Sequence, residues 1–99
     1  MKTMQIKYVL KLEDNKWYIG KTFNIQKRFN HHKNGTGAQW TKLHKPICIY
    51  SKSYNISERE LTLQYMKKYG IENVRGYSWS NRILSDQQVQ FIKNCLKYR

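Results

Sequence analysis

Apolar positions in the first stretch of the chain are gathered into two short runs set apart by a polar triplet. Gln5 to Leu12 and Lys16 to Lys21 are short runs rich in β-branched and aromatic residues. The intervening Glu13-Asp14-Asn15 makes the pair a predicted hairpin. The spacing then becomes that of a helix. Asn24 stands as N-cap, Ile25 to Asn34 follows with Ile25 and Phe29 on one stripe, and Gly35 lies just past the end. The Gly- and polar-rich stretch Asn34 to Lys42 predicts a loop, and Pro46 precedes an apolar strand, Ile47 to Tyr50. Ser57 opens a second helix that runs to Tyr69, with Leu61, Tyr65 and Met66 at helical spacing and Gly70 as its stop. Ile71 to Arg82 reads as irregular. Ser85 with Gln88 forms a capping-box pattern ahead of Val89, Ile92 and Leu96, which predicts a last helix over roughly 85–97. The expected order is ββαβα plus a final helix, an α/β (α+β) chain without internal repeats.

Composition narrows the partner. Ninety-nine residues with 39% apolar and 14% aromatic content suit one domain, 1–99, with a single core. The net charge is +13, and the acids are unevenly placed: none occurs from Asn15 to Ser57, a span that holds eight Lys/Arg and all three His. Trp17, Tyr18, Phe23, Phe29, Trp40 and Tyr50 are interleaved with those cations, a mixture suited to phosphate neutralisation and stacking on bases. Nucleic acid is therefore the expected partner, with Lys21, Lys27, His31, Lys33 and Lys42 as its contacts. A solvated basic surface and a membrane-surface role are the rival readings, but no segment is an amphipathic basic helix. Cys48 and Cys95 are too few and too far apart for a disulfide framework or a zinc site. No apolar run approaches a membrane span, and Lys2, Lys7 and Lys11 interrupt the stretch where a signal peptide would be apolar. An intracellular, unsecreted protein is the expectation, with the oligomeric state left open and a monomer favoured.

Chemistry depends on the hairpin register. With a three-residue loop at Glu13-Asp14-Asn15, Leu12 pairs with Lys16, Leu10 with Tyr18 and Tyr8 with Gly20, so Tyr8 and Tyr18 lie diagonally on one face. A two-residue loop would put them on opposite faces. Gly20 leaves an open spot beside Tyr18 for a backbone or a phosphate. Arg28 and His32 are i and i+4 on the first helix, offering a fork of donors and a group that titrates near neutrality. After the acid-free span come Glu58 and Glu60, where a metal or a general base could be held. Ser57-Glu58-Arg59-Glu60 is also a capping box, which gives Glu60 a purely structural alternative.

Tyr8-Val9-Leu10, Tyr18-Ile19-Gly20, Arg28 with His32, Glu58-Arg59-Glu60 opening a helix and Asn73 after it resemble the successive motifs of the GIY-YIG endonuclease superfamily, over roughly residues 6–77. Ile6-Lys7 stand where the first motif has Gly-Ile, so only its tyrosine is kept. The segment from Tyr65 to Gly76 is similar to stand-alone members found in large DNA viruses. The resemblance implies a small three-stranded antiparallel sheet flanked by helices, and metal-dependent hydrolysis of DNA phosphodiesters; with one acidic pair after the acid-free span, a single Mg²⁺ or Mn²⁺ ion is expected. It implies Tyr8 as general base or water positioner, Tyr18 as its neighbour, Arg28 as phosphate clamp, His32 as proton relay, Glu60 as metal ligand, and Gly20 and Asn73 as structural motif residues. A non-catalytic nucleic-acid-binding module on the same scaffold, or a basic RNA-associated structural protein, would have no use for a carboxylate amid these cations.

Overall fold

The computed structural model describes residues 4–99. Strands β1 (Ile6–Leu12) and β2 (Lys16–Thr22) form the hairpin. The tight connection Glu13–Asn15 places Asp14 and Asn15 at φ 64° and 57°, residue types that tolerate the left-handed region. Its three-residue length sets the register Leu12↔Lys16, Leu10↔Tyr18 and Tyr8↔Gly20, the one of the two registers open to the sequence that puts both tyrosines on one face. Strand β3 (Pro46–Ser53) adds antiparallel to the other edge of β1, with irregularities between Val9 and Leu10 and between Lys11 and Leu12.

The sheet has four strands, not three. Strand β4 (Val74–Gly76) lies parallel to β2, giving the order β3-β1-β2-β4. The three-stranded antiparallel sheet implied by the resemblance is present and extended by this short parallel strand, which reads as irregular in sequence because three residues carry no period. Gly76 is required there by close approach. A Cβ would stand 2.6 Å from the Ile19 carbonyl oxygen and 2.8 Å from Thr62 Oγ1.

Helices α1 (Ile25–Lys33) and α2 (Gln39–Leu43) cover one face of the sheet, and α3 (Glu58–Tyr69) and α4 (Asp86–Leu96) the other. The short helix α2 occupies the stretch expected to be a loop. Its Trp40 is buried, its indole Nε1–H donates to the Trp17 carbonyl (3.0 Å), and it carries the guanidinium of buried Arg75 on its ring face at 4.4 Å. Alternation along the strands builds two cores. Tyr8, Leu10, Leu12 and Tyr18 pack with Trp40 beneath α1 and α2, while Val9, Trp17 and Ile19 pack with Leu61, Leu63, Met66, Val74, Trp79 and Ile92 beneath α3 and α4.

The caps follow their sequence signals. Asn24 Oδ1 accepts from the Lys27 amide, Ser57 Oγ from the Glu60 amide, and Ser85 and Gln88 form the reciprocal box that starts α4. Asn73 is structural: its Nδ2 donates to the Tyr69 carbonyl at the end of α3 (2.7 Å), and its Oδ1 accepts from Lys16 Nζ on β2 (2.6 Å). Among the described residues no helix is long and apolar enough to cross a membrane.

Candidate active site

The hairpin register brings the two tyrosines together. Tyr8 and Tyr18 are buried with ring centroids 6.4 Å apart, and the His32 ring lies 6.0 Å from Tyr8 and 5.0 Å from Tyr18. Gly20, opposite Tyr8 on β2, makes this possible, because a Cβ there would collide with the Tyr8 phenol.

His32 is placed by a chain of hydrogen bonds whose direction can be read. The Thr41 hydroxyl donates to the Ala38 carbonyl (2.8 Å), so its oxygen accepts from His32 Nδ1–H (2.9 Å). The opposite ring nitrogen, Nε2, is then the unprotonated one and accepts from the Tyr8 hydroxyl (2.9 Å). Burial, then the positive charges of Arg28 and His31, hold His32 neutral with a pKa of about 4. Space for the imidazole is provided by Gly37, where a Cβ would run into Nδ1. Thr41 and Gly37 have no motif of their own in the sequence. Gly37 lies in a turn that glycine would occupy anyway, and the role of Thr41 depends on α2.

Arg28 acts on both phenols. Its own pKa is raised, first through its interaction with the Tyr8 hydroxyl. Burial raises the pKa of Tyr8, with the charges of Tyr18 and Glu58 adding to the rise, and burial raises that of Tyr18, with Glu58 adding; Arg28 opposes the rise at both.

The acidic pair separates. Glu58, in the first turn of α3, is partly buried, and its charge is felt by both Tyr8 and Tyr18. Burial raises its pKa, and Lys21 and Lys7 oppose that rise. Together with Gln5, Lys7, Lys21, Ser57, Arg59 and Tyr77 it lines a groove of about 420 Å³. Glu60 is not brought to the tyrosines. Its Oε1 accepts from Arg99 Nη1 near the end of the chain, and it does not close the capping box, since only the Ser57 half of that exchange is present. The helix period explains the divergence. Glu58 precedes buried Thr62 by one turn, whereas Glu60 precedes exposed Gln64.

Of the expected phosphate contacts, Lys21 lines the groove, Lys27 and Lys33 are exposed on α1 next to Arg28 and His32, His31 is half-buried there, and Lys42 is exposed on α2. Among the described residues no three His, Cys, Asp or Glu side chains cluster as a metal-binding set. An ion at this site would therefore be held by one carboxylate, Glu58, with the rest of its shell from water and phosphate, a donor set that suits Mg²⁺.

The model of the GIY-YIG catalytic domain matches residues 4–73, a span that contains both tyrosines, Arg28, His32, Glu58 and Asn73. The UPF0213 protein YazA of Bacillus subtilis is 36% identical over 62 residues, covering 62% of this chain and 63% of its own length. The chain thus spans slightly under two thirds of that relative. A UPF0213 protein of Limosilactobacillus reuteri is 35% identical over 89 residues, 87% of this chain and 88% of the relative, and one of Staphylococcus saprophyticus is 32% identical over 59 residues, covering 59% of this chain and 72% of the relative. No solved structure matches the chain. The paired tyrosines on a hairpin, the arginine and histidine one helical turn apart and the match across most of the chain agree: this protein belongs to the GIY-YIG family, whose domains are generally nucleases.

Proposed function

We propose that this protein is a divalent-metal-dependent DNA endonuclease that hydrolyses phosphodiester bonds at the Tyr8/Tyr18/Arg28/His32 cluster, with Glu58 holding the ion. The observation that carries the reading is the directed chain Tyr8 O–H to His32 Nε2 and His32 Nδ1–H to Thr41, placed against Arg28. A binding module has no need of a buried neutral histidine oriented to receive a phenolic proton.

The chain's residues divide the work. Arg28 binds the scissile phosphate with its planar fork of donors and balances charge as the phosphorus becomes five-coordinate. Free phenolate is costly: a tyrosine of ordinary pKa near 10 needs about 4 kcal/mol to ionise at pH 7, and burial raises that figure for Tyr8. Tyr8 therefore orients the attacking water and accepts its proton only as its own hydroxyl proton passes to His32 Nε2. Phosphate bound at Arg28 offsets the positive charge that helps hold the His32 pKa down, so substrate makes His32 a stronger base. Tyr18 packs against Tyr8 and His32 and limits their movement.

A Mg²⁺ or Mn²⁺ ion on Glu58 would supply Lewis-acid polarisation of the phosphate and stabilise the departing oxygen. Glu58 is preferred to Glu60 as its ligand because Glu60 is occupied by Arg99 away from the phenols. Incubation with supercoiled plasmid tests the whole reading: nicked or linear product is expected with Mg²⁺ or Mn²⁺ and none in EDTA. Plasmid that is bound and left intact in every metal would instead identify a non-catalytic nucleic-acid-binding module.

A further inference from the structure

Among the described residues, three non-glycine residues adopt positive φ: Asp14, Asn15 and Tyr77. The first two are common in that region, but for a bulky aromatic a φ of 55° is an outlier. Its setting is a two-residue turn. The Gly76 amide donates to the Trp79 carbonyl (3.0 Å) and the Trp79 amide to the Gly76 carbonyl (2.9 Å), enclosing Tyr77 and Ser78. Positive φ at the first central residue alone is the arrangement of a type II′ turn, in which that position is normally glycine.

Burial does not compensate for the conformation. Tyr77 is 43% exposed, and its ring meets Trp79 edge-on at 5.2 Å. Nor can the turn relax beneath it, because Gly76 is pinned between Ile19 and Thr62, and the Thr62 hydroxyl donates to the Glu58 carbonyl (2.7 Å). The ring is thus rigidly mounted on the wall of the same groove as Glu58. Strain held without a packing return is a mark of a functional position. The groove also contains Lys7 and Lys21, directly opposite each other across β1 and β2, an unfavourable like-charge pair until a polyanion lies over it.

We propose that Tyr77 is a stacking post for an unpaired nucleobase next to the phosphate held at Arg28, with Lys7 and Lys21 taking flanking phosphates. A base inside an intact duplex has both faces covered, so the ligand is a single-stranded or splayed segment. This rests on the nucleic-acid reading above, and binding without metal separates the two.

The experiment titrates a single-stranded oligonucleotide carrying 2-aminopurine into the full chain in EDTA, where no cleavage occurs. Wild type and Tyr77→Phe should quench the probe and bind alike, whereas Tyr77→Ala and Tyr77→Gly should lose the quench and about tenfold in affinity. Tyr77→Gly should at the same time raise the melting temperature by relieving the turn, a combination that a merely structural tyrosine would not produce. Quench and affinity unchanged in Tyr77→Ala and Tyr77→Gly would overturn the stacking role, as would a Tyr77→Phe that fell as far as Tyr77→Ala. Normal quenching by wild type with no cleavage in Mg²⁺ or Mn²⁺ would uphold the stacking post and overturn the nuclease reading alone.

Discussion

His32 shows how one residue acquires a function from its surroundings. Alone it would titrate near pH 6.5, but burial with Arg28 and His31 nearby depresses its folded pKa to about 4. The unfolded chain then binds the proton more readily than the folded one between those values, so stability is fully present above about pH 6.5 and falls as pH drops toward 4. The loss approaches about 3 kcal/mol at the lower limit, and His32→Gln should flatten that part of a denaturation-versus-pH curve. The acid limb of kcat/KM should follow the folded value of the free protein, near pH 4 to 5 rather than 6.5, with the limb of kcat displaced upward by the bound phosphate. A kcat/KM limb at 6.5 would mean that His32 is not the group receiving the proton. Gly37 supports the same imidazole from behind, so Gly37→Ala should displace it and cut turnover at least tenfold while DNA binding, which depends on surface cations, stays close to wild type.

Elements convert such residues into a site, and they differ in how legible they are. The hairpin can be read from two short aromatic-rich runs and from a turn that holds two residues of left-handed preference, and its register alone decides that Tyr8 and Tyr18 share a face. The three capped helices carry local signals at their starts, and α1 and α3 also carry a glycine just past their ends. Strand β4 carries none, because its pairing with β2 is parallel and non-local and its middle residue is a buried arginine. The Arg75 guanidinium satisfies itself by donating to the carbonyls of Ile71, Val74, Asn81 and Arg82. Helix α2 is masked by the glycine-rich approach, so Thr41, which orients His32, could not be recognised. The glutamates lie between these extremes: capping chemistry marks where α3 starts, but only docking decides which side of its first turn meets the sheet. That docking leads to a direct comparison. Glu58→Gln should abolish metal-dependent cleavage with normal folding, whereas Glu60→Gln should leave cleavage intact and lower stability by no more than ~0.5 kcal/mol, the worth of a partly exposed pair with Arg99. Cleavage lost in Glu60→Gln alone would return the metal to Glu60.

At the scale of the whole molecule, charge governs encounter and the site governs chemistry. A chain of +13 attracts any polyphosphate, so affinity by itself says little about where the substrate lies. Salt dependence says more, because each phosphate neutralised adds about 0.7 to the slope of log K against log salt for single strands and about 0.9 for duplex. If the path of the nucleic acid runs along the groove at the start of α3 and on past the exposed side of α1, Lys21→Gln and Lys27→Gln should each reduce that slope by about one contact. Lys11 provides the control: it shares the Lys7/Lys21 face of the sheet but lies two pairs of residues further along β1, outside the groove, with its ammonium 6.0 Å from the Trp17 ring centroid. Lys11→Gln removes the same unit of net charge, so a purely global attraction would treat all three variants alike. A directed path predicts an unchanged slope for Lys11→Gln beside reduced slopes for the other two, measured by titration in EDTA from low to physiological salt. Equal reductions in all three would mean that the strand does not follow the groove, and would separate the binding surface from the tyrosine cluster.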